Sequence, residues 1–159
     1  MTTALGGGTI PAERAYLDTE IMPCLGPDVR WLGELDFDGK TALLGRAACL
    51  VFPARWDEPF GLVLVEAMAC GTPVAALAAG AVPELVADGE TGILCREPAA
   101  LGAAIDRAAR LDPARCRARA ERLFSAGRMV TDYENVYRRL ISAPGSRPPG
   151  AGTGPARSG

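Results

Sequence analysis

Residues 58–71 read EPFGLVLVEAMACG and separate two short apolar runs, CLVFP at residues 49–53 and TPVAAL at residues 72–77. Each run has the length and composition of one buried strand. The stretch between them begins with a turn around Gly61 and continues as a nearly unbroken apolar helix. Strand, turn, helix and strand in this order predict a βαβ unit. We therefore predict an α/β fold with a parallel sheet flanked by helices.

The predicted helix contains a single polar side chain, Glu66, between Leu62 and Cys70. A carboxylate in a buried helix needs a charge partner, a hydrogen bond or access to water. Because helical side chains tilt toward the helix start, Glu66 is expected to point back at the loop that carries Glu58. Free N–H groups at a helix start suit a phosphate, and a neighbouring carboxylate can accept bonds from sugar hydroxyls. Spacing alone leaves a plainer interpretation open, in which both acids are solvated or bonded to nearby backbone.

The two acids and the residues around them also carry a resemblance. The motif E-x7-E from Glu58 to Glu66, read with its flanks as EPFGLxxxEAMACGTPV, resembles the signature of family 4 retaining glycosyltransferases. These enzymes have the GT-B fold. The likeness continues in GAVPELVADGETGIL at residues 80–94 and covers about residues 9–142. It implies a Rossmann-like parallel sheet, equivalent to most of a GT-B C-terminal domain.

The resemblance also implies roles for individual residues. In the family, the first acid contacts the donor sugar near its anomeric carbon, which gives Glu58 a catalytic and donor-binding role. The second acid holds the ribose hydroxyls, which makes Glu66 donor-binding. The backbone of the Phe-Gly-Leu segment meets the diphosphate and sugar, which places Phe60, Gly61 and Leu62 at the donor. No metal and no cofactor other than the nucleotide-diphosphate sugar substrate is implied.

The function implied by the resemblance is transfer of a glycosyl unit from a nucleotide-diphosphate sugar to an acceptor, with retention at the anomeric carbon. Residues 1–142 then form a donor-binding domain. The family's acceptor half has no counterpart here, nor has the arginine and lysine pair that clamps the diphosphate. We expect a donor domain missing its start, which is a truncated gene product, an incomplete chain, or one piece of a split enzyme whose acceptor domain is on a separate chain. The alternative is a nucleotide-binding module without turnover.

Arg55 and two glycines bear on the same region. Arg55 either neutralises part of a diphosphate or pairs with Asp57, and the pairing is favoured. Gly33 either lies at the edge of the nucleotide base, as the resemblance implies, or is an ordinary turn residue. Gly80 is expected to allow close approach of a bound sugar.

Composition excludes several classes of protein. The 159-residue chain has a net charge of −2, which gives no overall basic field to recruit nucleic acid, although the sum leaves a local basic patch open. No apolar run approaches the roughly 18 residues of a membrane span, and the N-terminus lacks the features of a signal peptide. We expect a cytoplasmic protein without a transmembrane segment. With no histidine and no C-x-x-C pair, the five cysteines favour buried thiols over a zinc site.

Hydrophobic spacing and turn residues predict the remaining elements. Helices are expected over residues 10–25, 38–48, 82–87, 98–111 and 113–123, with a last one beginning near Ser125. Further strands are expected over residues 28–33 and 92–95. Residues 143–159 are rich in Pro, Gly and Ser and are predicted to form a disordered tail.

Overall fold

The structure is a computed structural model that describes residues 11–142, so the predicted tail at residues 143–159 lies outside the described range. The described elements, in chain order, are α1 Pro11–Tyr16, α2 Phe37–Leu44, β1 Leu50–Phe52, α3 Leu62–Ala69, β2 Val74–Leu77, α4 Val82–Leu85, β3 Gly92–Cys95, α5 Leu101–Ala108, α6 Pro113–Phe124 and α7 Ala126–Ser142. In addition, a π-helical turn spans Leu17–Ile21, and 3₁₀ turns span Met22–Cys24 and Pro98–Ala100. The predicted α/β fold, with a parallel sheet flanked by helices, is confirmed.

The three described strands form one parallel sheet in the order β1-β2-β3. Val74 of β2 pairs with Leu50 of β1 on one side and with Gly92 of β3 on the other. All four residues of β2 are buried. A central parallel strand is covered by helices on both faces, which is why its sequence is a continuous apolar run rather than an alternating one.

The two faces of the sheet carry separate apolar cores. Val74 and Ala76 point to one face and Ala75 to the other, because side chains alternate along a strand. The first face packs against α3, α4 and α6 through Leu64, Met68, Val82, Leu85, Val86, Cys116 and Ala120. The second face packs against α5 through Ile93, Ala104 and Ala108. The βαβ unit predicted from residues 49–77 therefore lies at the centre of the molecule.

Arginine side chains tie α6 to the ends of two other helices. Arg119 donates from Nε to the carbonyl of Leu85 at 2.6 Å and from Nη2 to that of Glu84 at 3.1 Å. Arg117 donates to the carbonyl of Cys70, the C-cap of α3, at 3.3 Å. Carbonyls at a helix C-terminus have no partner within the helix, and cations are favoured there. The arginine-rich sequence of α6 thus serves packing as well as solvation.

Several sequence predictions differ from the structure. The strand expected over residues 28–33 is wrong: Gly26 and Val29 form only an isolated antiparallel bridge. A strand needs a neighbour to accept and donate its backbone hydrogen bonds, and residues 30–36 have none among the described strands. The helix expected over residues 10–25 is α-helical only as far as Tyr16. The helix expected to begin at Asp38 begins at Phe37, because Asp36 is its N-cap and accepts from the Gly39 N–H at 2.8 Å.

The cysteines are buried to different degrees. Cys116 is fully buried, and burial raises the pKa of its thiol, with the negative charge of Asp112 adding to the effect. Cys24 is exposed, contrary to the prediction of buried thiols, because it lies in the 3₁₀ turn that follows the first helix. Of the five cysteines, only Cys116 belongs to the core on the face of the sheet that packs against α3, α4 and α6.

Helix α7 has the predicted helical spacing of apolar residues, but none of its residues is buried. Its exposed apolar side chains are Met129, Val130, Tyr133, Val136, Tyr137, Leu140 and Ile141. Among the described elements, its main packing partner is α6. No helix within residues 11–142 has both the length and the apolar character needed to cross a membrane.

Candidate functional site

The first backbone N–H groups of helix α3 lack hydrogen-bond acceptors within residues 11–142. Its N-cap is Gly61, which has a left-handed conformation with φ 83° and ψ 62° and no side chain to cap the helix. A Cβ at this position would lie 3.0 Å from Cδ1 of Leu64. Among the described residues, the N–H groups of Leu62 and Val63 have no acceptor, and the Leu62 side chain is 68% exposed. The first N–H groups of the helix are therefore free beside the exposed Leu62, although Gly61 itself is buried, and free donors of this kind are what an anion site requires.

The loop before α3 is held firmly at Glu58. The indole Nε1 of Trp56 donates to Oε2 of Glu58 at 3.0 Å, and the Ala81 N–H donates to the Glu58 carbonyl at 3.0 Å. Gly80 has φ +52°, and a Cβ there would lie 2.5 Å from the Glu58 nitrogen. The backbone of Glu58 thus occupies the position that a side chain at residue 80 would need, and the approach of a sugar to Gly80 stays a prediction. Two contacts fix the backbone and one fixes the carboxylate.

Glu66 has a charge partner that sequence reasoning did not identify. Lys40 of α2 donates from Nζ to Oε1 of Glu66 at 2.6 Å, and both side chains are 37% exposed. The apolar helix therefore carries its one carboxylate at a partly solvated edge, with a cation beside it. This satisfies the requirement for a partner that the sequence predicted for this acid.

The structure places four of the five predicted site residues at or just before the start of α3 and the fifth, Glu66, in the middle of the helix. A Cβ built on Gly61 would lie 3.5 Å from Cγ of Glu58, so this acid lies against the helix start. Glu66 lies four residues after Leu62, about 6 Å further along the helix axis. Phe60 packs edge-to-face on Phe124, with ring centroids 6.4 Å apart. That both carboxylates contact one ligand stays a prediction.

A hollow of about 180 Å³ lies near the carboxyl ends of the strands and contains two arginines. It is lined by Arg55, Leu77, Ala78, Ala79, Arg96, Glu97 and Pro98. The expected pairing of Arg55 with Asp57 is absent from the ion pairs of the described residues. Ligands of open parallel sheets bind outside this edge. The sequence did not mark Arg96 as a site residue. It lies at the carboxyl edge of the sheet only because it directly follows β3.

A second hollow lies on α6 and is lined by Glu90, Thr91, Arg115, Ala118, Arg119 and Arg122. Neither of these two hollows is lined by Glu58 or Glu66. Within the described part of the chain, no three His, Cys, Asp or Glu side chains are grouped closely enough to hold a metal ion.

Comparison with known proteins identifies the family. Residues 13–123 match the family described as glycosyl transferases group 1, which covers more than half of the chain. The chain belongs to this family. The matched range includes Lys40, the whole of the segment from Glu58 to Glu66 and the three strands.

This group 1 glycosyltransferase chain is similar to longer curated proteins. It is 40% identical over 107 residues to glycogen synthase of Mycobacterium tuberculosis, covering 66% of this chain and 25% of that protein. It is 45% identical over 86 residues to D-inositol 3-phosphate glycosyltransferase of Mycobacterium avium, covering 44% of this chain and 20% of that protein. The chain therefore spans a quarter or less of these relatives.

Solved structures also superpose on this chain over part of their length. Sucrose-phosphate synthase from Thermosynechococcus elongatus superposes with a TM-score of 0.73 at 34% identity, over 87% of this chain and 38% of that one. HepE of Anabaena, solved with UDP and glucose and also with UDP-glucose, superposes with a TM-score of 0.67 at 28% identity. That match covers 89% of this chain and 41% of HepE.

Proposed function

We propose that this chain binds a nucleotide-diphosphate sugar at the start of α3, as the donor-binding domain of a family 4 retaining glycosyltransferase. The observation that supports this most strongly is the uncapped helix start at Gly61, with unbonded N–H groups on Leu62 and Val63. A fixed acid, Glu58, lies directly beside it, and HepE, a structural neighbour, was solved with UDP-glucose.

In this proposal the diphosphate lies on the free N–H groups of α3, with the backbone of residues 60–62 around it. Glu66, one turn further along, accepts hydrogen bonds from the ribose hydroxyls. Glu58 orients the sugar, and Trp56 holds the carboxylate of Glu58 in place. A helix start supplies about half a positive charge, which is less than a diphosphate needs. Arg55 and Arg96, which line the hollow at the carboxyl edge of the sheet, are basic groups that can supply more.

Transfer with retention needs an acceptor, which in this proposal is bound by a separate domain. The positive end of α3 would stabilise the negative charge that develops on the leaving diphosphate, and the departing phosphate oxygens would stabilise positive charge on the sugar ring, a preorganised electrostatic effect. No residue of this chain is assigned as a covalent nucleophile. Retention is tested by the anomeric proton coupling in the NMR spectrum of the product. An inverted product would contradict the retaining mechanism.

Donor binding is tested by calorimetric titration of the full chain with UDP-glucose, the donor present in the HepE structure. Replacing Glu66 by Ala should weaken binding about tenfold or more, because it removes charge-assisted hydrogen bonds to the ribose. Glu134→Ala removes a carboxylate from an exposed ion pair on α7 and should leave binding unchanged. Equal binding by the wild type and Glu66→Ala would contradict the ribose role. No binding by the wild type would contradict the donor function.

A second candidate function is nucleotide binding without turnover. The exposure of Leu62, which is 68% exposed at the first position of α3, favours it for this chain alone, because glycosyl transfer needs a site that excludes water. Adding an acceptor-type domain distinguishes the two. Glycosyl transfer in the mixture supports the enzyme, whereas donor binding without transfer supports the binding module.

A further inference from the structure

The ion pair between Lys40 and Glu66 uses a lysine, a residue type that this protein otherwise lacks. The chain contains 17 Lys and Arg residues, and Lys40 is the only lysine in the sequence. Everywhere else the chain uses arginine. The one lysine is also the only described cation that pairs with an acid outside its own helix. The presence of lysine rather than arginine at position 40 therefore needs a chemical reason.

Lysine and arginine bind a carboxylate differently. A guanidinium is a planar fork that takes both oxygens of a carboxylate at once. An ammonium is a compact point charge that can hold one oxygen and leave the other free. Nζ of Lys40 contacts Oε1 of Glu66, and Oε2 has no donor among the described residues. The pair thus leaves a partly exposed acceptor at the edge of α3.

The helix that carries Lys40 is capped at its start and attached to the rest of the molecule at its end. Asp36 caps the start of α2 through the Gly39 N–H. At the other end, the buried hydroxyl of Thr72 donates to the Leu44 carbonyl. Because Thr72 lies two residues before the central strand and three residues after α3, its hydrogen bond sets the position of α2 relative to the sheet and to α3. The ammonium is therefore delivered to Glu66 by a fixed element rather than by a mobile loop.

We propose that Lys40 is a positioning residue that holds one carboxylate oxygen of Glu66, so that the other is aimed at a ribose hydroxyl of the bound nucleotide. This inference rests on the proposed donor-binding function and extends it to a residue in α2. It explains why position 40 is lysine. An arginine there would occupy both oxygens and compete with the ribose.

The test compares UDP with 2′,3′-dideoxy-UDP, which lacks the hydroxyls that Glu66 would bind. Binding of each nucleotide to the full chain is measured by calorimetry for the wild type, Lys40→Met and Lys40→Arg. The wild type should prefer UDP by about tenfold or more, the value of one charge-assisted hydrogen bond. In both variants this preference should fall to about threefold or less, while affinity for the dideoxy nucleotide stays constant. Arg138→Met, which breaks the pair with Glu134 on α7, is the matched control and should behave as wild type.

Affinity for the dideoxy nucleotide separates a positioning role from a loss of folding. If that affinity is unchanged in the variants, they keep their fold. If Lys40→Met weakens both nucleotides equally, Lys40 does not act through the ribose and the inference is overturned. If Lys40→Arg keeps the full preference, a free carboxylate oxygen is not required and the inference is again overturned. A wild type that binds neither nucleotide, or both equally, refutes the proposed donor site itself.

Discussion

At the scale of single residues, the candidate site depends on two glycines that act in different ways. Gly61 provides a left-handed N-cap that no side chain covers, so the first N–H groups of α3 stay free. Gly80 lets one loop contact another, because the backbone of Glu58 lies where a Cβ would be. Both positions demand glycine for steric reasons. The position of the Glu58 carboxylate therefore depends on a residue 22 positions later in the chain.

Gly80 and Gly89 offer a matched pair for testing this contact. Both have a left-handed backbone, with φ +52° and +78°, but only Gly80 has atoms within 4 Å of an added Cβ. Gly89→Ala should cost about 1–2 kcal/mol of folding stability, the strain of a left-handed Ala. Gly80→Ala should cost roughly 1–3 kcal/mol more, because the Glu58 loop must move. Denaturant unfolding measures both values.

The same two variants also test the role of Glu58. Gly80→Ala should weaken UDP-glucose binding about tenfold, because it displaces a hydrogen-bonding acid, whereas Gly89→Ala should not change it. Equal affinities in the two variants would show that the donor does not depend on this loop.

At the scale of secondary-structure elements, helix ends carry much of the organisation. The first N–H groups of α3 have no acceptor among the described residues, whereas the carbonyls at the ends of α3 and α4 accept hydrogen bonds from arginines of α6. The carbonyl oxygens at those ends would otherwise lack partners. The sequence of α6 is therefore explained by what its arginines bond, which spacing along the helix does not reveal.

Arg119 provides the test at this scale. Arg119→Ala should lower the free energy of unfolding by about 1.5–3 kcal/mol, because it removes charged hydrogen bonds to two carbonyls at the end of α4. Arg122 lies one turn further along the same helix, is exposed, and has no hydrogen-bond acceptor among the described residues. Arg122→Ala should change stability by less than about 0.5 kcal/mol. Similar losses in both variants would mean that general helix electrostatics, rather than these bonds, is responsible.

At the scale of the whole molecule, stability comes from the two cores around the sheet. Met68 and Leu64 of α3 are fully buried against β2, while α7 contributes no buried side chain. Apolar area removed from water is the main favourable term in folding. The described chain therefore has a stable centre and one helix whose apolar stripe adds little to it.

A pair of alanine substitutions measures this division. Met68→Ala should cost about 2–5 kcal/mol, because it opens a cavity beside the central strand. Leu140→Ala, at a side chain that is 58% exposed on α7, should cost less than about 0.5 kcal/mol. Thermal or denaturant unfolding of both proteins gives the comparison. A large loss for Leu140→Ala would show that its apolar stripe is buried in solution.

The sequence by itself determined the central βαβ unit, the position of β3 and the family. Continuous apolar runs of strand length around an apolar helix allow few other arrangements, because each face must be buried. The prediction of a strand over residues 28–33 was wrong because local sequence does not show whether a partner strand lies beside it. A strand exists only where another strand accepts its hydrogen bonds, and local sequence does not show which neighbours are present.

Only the tertiary structure decided how the site residues are held. The pairing of Lys40 with Glu66 joins residues 26 positions apart, and the packing of Gly80 on Glu58 joins two loops. Periodicity reports which face of an element is apolar, so it fixes elements and leaves their side-chain partners open. Those partners depend on where the packed sheet places each helix end and loop. The residues that supply the chemistry at the start of α3 can therefore be identified from the local sequence, whereas the orientation of the two acids comes from the fold.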